Sequence, residues 1–108
     1  MTTPLTLNTG RRFDGSLVLT AIGELDLSNI DAFTHALSSA VEEAQSSGGP
    51  VTVDLSAVEY LDSAAINVLF THAEHVQIFA NPILMGAFTV SGLTGLVAVE
   101  TAPLPDKP

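Results

Sequence analysis

Two kinds of hydrophobic periodicity alternate along this chain, and that alternation limits the fold more than any other feature. Short runs of period 2 are separated by segments in which apolar residues recur every three or four positions, the pattern of a sheet covered by helices. Leu5 and Leu7 alternate with Thr6 and Asn8, the Asp14-Gly15 turn signal follows, and Leu17 to Ile22 reads as the second arm of a hairpin. Ile30, Phe33, Leu37, Val41 and Ala44 then share one helical face, with His35, Glu42 and Glu43 directed to water. Ser28, with Asp31 three positions on, reads as an acidic variant of the capping box at the start of this helix. Ser46-Ser47-Gly48-Gly49-Pro50 ends it.

Val51 to Leu55 is a short β-rich run, and Ser56 to Leu61 reads as a loop. Asp62 and Ser63 supply cap chemistry for a second helix with an apolar stripe of Ile66, Leu69, Phe70 and Ala73. Val76 to Ala80 is the next strand. Asn81 as cap and Pro82 at the first helical position start a third helix, whose Leu84, Met85 and Phe88 face the core. Gly92 and Gly95 close it, and Val97 to Val99 form a last strand. The order β-β-α-β-α-β-α-β predicts one small α/β domain over residues 5–100, with a mixed, mostly parallel sheet of about five strands and helices packed on it. Residues 1–4 are expected to be an N-terminal extension and residues 101–108 a flexible, proline-rich tail.

Composition then removes whole classes of function. With 12 acidic residues against 3 basic ones, Arg11, Arg12 and Lys107, the formal charge is -9. A nucleic-acid surface needs clustered cations to displace counterions, so direct nucleic-acid binding is excluded. The absence of cysteine removes disulfides, thiolate metal sites and thiol catalysis. Residues 76–99 carry no formal charge, a length that could span a bilayer. Gln77, Asn81, Pro82, Thr89, Ser91 and Thr94, with Gly86, Gly92 and Gly95, break the run too often for membrane insertion. Met1 to Pro4 has no basic region, and no apolar core of signal-peptide length follows before Arg11, so a cytoplasmic location is expected.

Catalytic equipment is sparse. There is no phosphate-binding glycine loop and no Gly-x-Ser-x-Gly elbow. His72 and His75 lie three apart without an obvious further ligand, so they read as structural or solvated residues, and no metal or cofactor is expected. Arg11-Arg12 reads as a solvated pair. Asp62-Ser63 is different in kind. A serine at a helix start ordinarily caps it, yet the same place favours a phosphate, because the dipole and free N–H groups point there.

Four motifs stand in order along the chain: Gly23-Glu24-Leu25-Asp26; Val53-Asp54-Leu55-Ser56; Val58-Glu59-Tyr60-Leu61-Asp62-Ser63; and Asn81-Pro82 with Ser91-Gly92-Leu93-Thr94-Gly95-Leu96. Together, from about Leu5 to Glu100, they resemble a bacterial STAS domain of the anti-sigma factor antagonist branch. That resemblance implies a regulatory binding protein rather than an enzyme. In that family an unphosphorylated antagonist binds an anti-sigma factor that is also a serine kinase and so frees a sigma factor; phosphorylation releases the antagonist and a phosphatase resets it. By position, Ser63 is the implied phosphoacceptor, and Asp26, Asp62, Ser63, Ala64 and Ala65 are the implied partner-binding residues. The family usually continues Asp-Ser-Ser/Thr-Gly, where this chain has Asp62-Ser63-Ala64-Ala65. The alternative implied by the same resemblance is an accessory subunit of a membrane transporter or signalling assembly, without a phosphorylation switch.

Overall fold

A computed structural model describes residues 5–12 and 15–101. Asp14 of the turn signal, the extension at residues 1–4 and the tail at residues 102–108 lie outside the described residues. The elements are β1 (Thr6–Arg11), β2 (Leu17–Leu25), α1 (Ile30–Ser47), β3 (Val51–Leu61), α2 (Ser63–Thr71), β4 (Val76–Ala80), α3 (Met85–Ser91) and β5 (Val99–Thr101). They follow the β-β-α-β-α-β-α-β order that the periodicity predicts. The sheet order is β1-β2-β3-β4-β5, with β1 antiparallel to β2 and every other pair parallel. Right-handed crossovers that all step in one direction place the three helices on a single face.

Burial agrees with that layering. Leu17, Leu19 and Ala21 of β2 are buried under the helices, while the intervening Val18, Thr20 and Ile22 are half-buried or exposed. One cluster joins the sheet to the helices through Phe33, Leu37, Leu69 and Phe88. Helix α1 buries the five residues its spacing selects, and Gly48 ends it in the left-handed conformation, φ 86°, with its N–H donating to Ala44 O. Glycine takes that conformation without the steric cost a side chain would bring.

Three local expectations are corrected. Ser28 is not the cap of α1: the N-cap is Asn29, and the Ser28 hydroxyl donates instead to Asp26 Oδ1 at 2.6 Å. Residues 56–61 are not a loop, because β3 continues to Leu61 alongside β2. Thr20 pairs with Asp54 but Ile22 with Ala57, and Gly23 pairs with Val58 but Glu24 with Tyr60, so β3 carries an extra residue at each of two bulges. Asp54 Oδ1 accepts from the Ser56 N–H and hydroxyl at the first bulge, diverting that N–H from the ladder. Burial consequently falls on Leu55, Val58 and Leu61, every third residue, and the alternation that marks a strand disappears from the sequence.

The last strand is displaced as well. Val97 is buried ahead of the sheet, and pairing with β4 runs from Val99 to Thr101, the residue where the sequence starts the tail. In α2 the fully buried positions are Ala65 and Leu69, with Ile66 and Phe70 only partly buried beside them. Ala73, expected on the same stripe, lies past the end of the helix in the 3-10 turn Ala73–His75. Among the described residues no helix is long and apolar enough to cross a membrane.

Phe33 is fully buried between α1 and the sheet. Phe33→Ala is expected to cost about 3–5 kcal/mol, read as a lower urea midpoint with little change in slope.

Candidate functional site

The site lies where β2 and β3 end side by side. Leu25 pairs with Leu61, so the next residues, Asp26 and Asp62, leave the sheet together at the carboxyl ends of two parallel strands. That edge is the general location of binding sites in open α/β sheets. After Asp26 the chain turns through Leu27 and Ser28 into α1; after Asp62 it enters α2 at once.

Each turn is closed by side chains with the geometry their types favour. Asp26 Oδ1 accepts from the Ser28 N–H at 3.0 Å and from its hydroxyl, a local Asx arrangement. Asn29 Oδ1 accepts from the Asp26 N–H at 3.0 Å, and its Nδ2 donates to Glu24 O at 2.9 Å. Asp62, in extended conformation, is the N-cap of α2: Oδ1 accepts from Ala64 N–H at 3.0 Å and Ala65 N–H at 3.3 Å. Its other oxygen, Oδ2, accepts from the Leu27 N–H at 3.0 Å, and its own N–H donates to Leu25 O at 3.2 Å. One carboxylate therefore caps a helix and holds the neighbouring loop.

The consequence for Ser63 is direct. Because Asp62 takes the N-cap, Ser63 is the first helical residue, exposed, and its hydroxyl makes no hydrogen bond among the described residues. The ordinary sequence reading, in which Ser63 itself caps the helix, is corrected. Ala64 is half-buried, and Ala65 is fully buried with its methyl in the core. The structure thus groups Asp26, Asp62 and Ser63 at one rim, with Ala64 and Ala65 behind them.

Sequence reasoning missed Leu27. It is 74% exposed, yet its backbone is fixed by Asp62. Leu25 and Leu27 are two apart, so strand periodicity assigns both to the core; the turn at Asp26 breaks the period and sends Leu27 outward. The out-of-phase leucine between two turn-forming residues was the available signal.

Elsewhere, His72 is tied into the scaffold: Nδ1 lies 3.0 Å from Val68 O, which can only accept, so Nδ1 carries a proton. Its Nε2 lies 3.4 Å from the Ser38 hydroxyl. Among the described residues no three His, Asp or Glu are grouped to hold a metal ion. Arg11 is paired, with Gly15 O at 2.6 Å and Glu43 Oε2 at 2.8 Å.

Comparison with known proteins adds to this geometry. The family model described as Mlab, STAS domain, matches residues 9–98. Among solved structures, an anti-sigma factor antagonist from Mycobacterium paratuberculosis is 24% identical, with a TM-score of 0.80 over 93% of this chain and 90% of that one. The anti-sigma factor antagonist SpoIIAA in its unphosphorylated form is 15% identical, with a TM-score of 0.70 over 92% of this chain and 90% of that one. The phosphorylated form of SpoIIAA, from Bacillus, gives 15% and 0.64 over 92% and 93%. At these identities the likeness establishes the fold. No curated protein matches the chain in sequence.

The division of labour between the adjacent residues is testable. Asp62→Ala is expected to cost about 1–2 kcal/mol in urea denaturation, whereas Ser63→Ala stays within about 0.5 kcal/mol. In hydrogen exchange, the Leu27, Ala64 and Ala65 amides should lose protection together in Asp62→Ala. A larger loss from Ser63→Ala would assign the cap to the serine.

Proposed function

The chain belongs to the STAS domain family, and on that premise we propose that it is an anti-sigma factor antagonist acting in the cytoplasm. It binds an anti-sigma factor of the serine-kinase type and so frees a sigma factor. Phosphorylation of Ser63 by that kinase ends the interaction, and a phosphatase restores it. The chain itself is a binding module, not an enzyme. The observation that carries this reading is the exposed Ser63 hydroxyl, left free because Asp62 caps α2.

Electrostatics supports such a switch. A phosphate on Ser63 adds about -1.5 to -2 charges. It would stand beside the Asp62 carboxylate, which holds Leu27, Ala64 and Ala65 through their N–H groups. The new dianion competes for the helix N-terminus and repels Asp62, loosening the grip on the Leu27 loop. Leu27 is the apolar anchor of the contact, and its neighbours Asp26 and Asp62 suit a basic partner surface. Differential affinity between the two forms carries the signal.

The departure from the family's usual sequence does not obstruct this surface. Where many members have glycine, the Ala65 methyl points into the core, so it adds no bulk at the rim. Ala64 in place of a second hydroxyl leaves Ser63 the sole hydroxyl in the first turn of α2.

Incubation with candidate anti-sigma kinases and ATP, followed by mass spectrometry, should place phosphate on Ser63 and nowhere in Ser63→Ala. Leu27→Asp should weaken binding of the unphosphorylated protein by about tenfold or more while leaving the fold intact. Tight binding with Ser63 unmodified, and equal binding by Ser63→Glu, would instead support an accessory subunit without a switch.

A further inference from the structure

Asparagine and aspartate stand at three N-cap positions: Asn29 before α1, Asp62 before α2 and Asn81 before the turn Pro82–Leu84. Two of them cap as their side chains predict. Asp62, at φ -109° and ψ -174°, and Asn81, at φ -61° and ψ 132°, are extended and accept from N–H groups of the elements they start. Asn29 does not. At φ -130° and ψ 8° it makes no side-chain bond to α1. Asn81 is the same residue type at the same kind of position, so side-chain chemistry does not account for the difference.

The Asn29 side chain is turned backwards along the chain instead. Oδ1 accepts from the Asp26 N–H at 3.0 Å and Nδ2 donates to Glu24 O at 2.9 Å, while the Asn29 N–H donates to Asp26 O at 3.0 Å. A backbone N–H only donates and a carbonyl only accepts, so one orientation of the amide satisfies both partners. Three bonds from one half-buried residue thereby close the turn from Glu24 to Asn29.

We infer that Asn29 is a positioning residue for partner recognition: it fixes the turn that presents Asp26 and Leu27, and leaves α1 without a side-chain cap in doing so. The inference rests on the role proposed above for that rim. A local preference overridden with no gain to its own helix is the pattern expected where structure is held for a contact. Leu27 is 74% exposed, and ordering an exposed side chain at the moment of binding costs affinity. Preorganisation removes that cost. Asp62 holds the Leu27 N–H from the α2 side, and Asn29 holds the preceding residue from the α1 side. The Asp26 carboxylate is then oriented by the Ser28 N–H and hydroxyl. Asn29 acts through these residues and need not touch the partner.

Asn29→Ser separates this role from ordinary helix capping. Serine caps as well as asparagine, but its single, shorter oxygen cannot span Glu24 and Asp26. Urea denaturation, hydrogen exchange at the Asp26 amide and calorimetric titration with an anti-sigma factor that binds the unmodified chain are compared with wild type. The urea midpoint should be unchanged, exchange at Asp26 faster by about tenfold or more, and the dissociation constant higher by about tenfold or more. Asn81→Ser, the same replacement where asparagine does cap, should leave all three unaltered. Unchanged exchange and affinity in Asn29→Ser would overturn the inference, as would faster exchange with full affinity. A lowered midpoint with weaker binding in both variants would overturn it too, since that is loss of a cap. If no anti-sigma factor binds the unmodified chain, the function proposed above fails, and exchange at Asp26 still decides whether Asn29 holds the turn.

Discussion

The arrangement at the rim depends on one carboxylate. Asp62 receives three backbone N–H groups and donates its own to Leu25 O, joining the end of β2, the loop before α1 and the first turn of α2. A charged acceptor makes each of these bonds stronger than its neutral counterpart. Two further features follow from that placement. Ser63 is relieved of capping and faces solvent, and Leu27 is exposed without being loose. Replacing the acceptor therefore alters a helix end and a loop together, so modification of an adjacent residue can be felt across both.

The larger pattern was legible in the sequence because buried residues obey the two backbone periods. Phe33, Leu37, Val41 and Ala44 keep the helical period, and all are buried in α1. Right-handed crossovers then leave few ways to arrange the sheet. Reading failed where local hydrogen bonds broke the period. The bulges of β3 turn a spacing of two into a spacing of three, so residues 56–61 resemble a loop although they pair with β2. Ser28 has the chemistry of a cap, but its hydroxyl is captured by Asp26, and Asn29 takes the position.

The candidate site was legible in part for related reasons. Motif position marks Asp26, Asp62 and Ser63, and the Leu25 to Leu61 register brings their loops together. Neighbouring residues with equivalent cap chemistry cannot be ranked from sequence, because backbone conformation decides which becomes the N-cap. Extended geometry at Asp62 decides it here. Of the twelve acidic residues, Asp26 and Asp62 stand at the rim with Ser63, at the ends of β2 and β3.

The central claim is that the state of Ser63 sets affinity for the partner. Its most direct measurement is calorimetric titration of one anti-sigma factor with two preparations of this chain, one bearing phosphoserine at position 63 and one unmodified. The account predicts that phosphorylation weakens binding by about 100-fold or more, equivalent to about 2.7 kcal/mol. Equal affinities for the two preparations would contradict it.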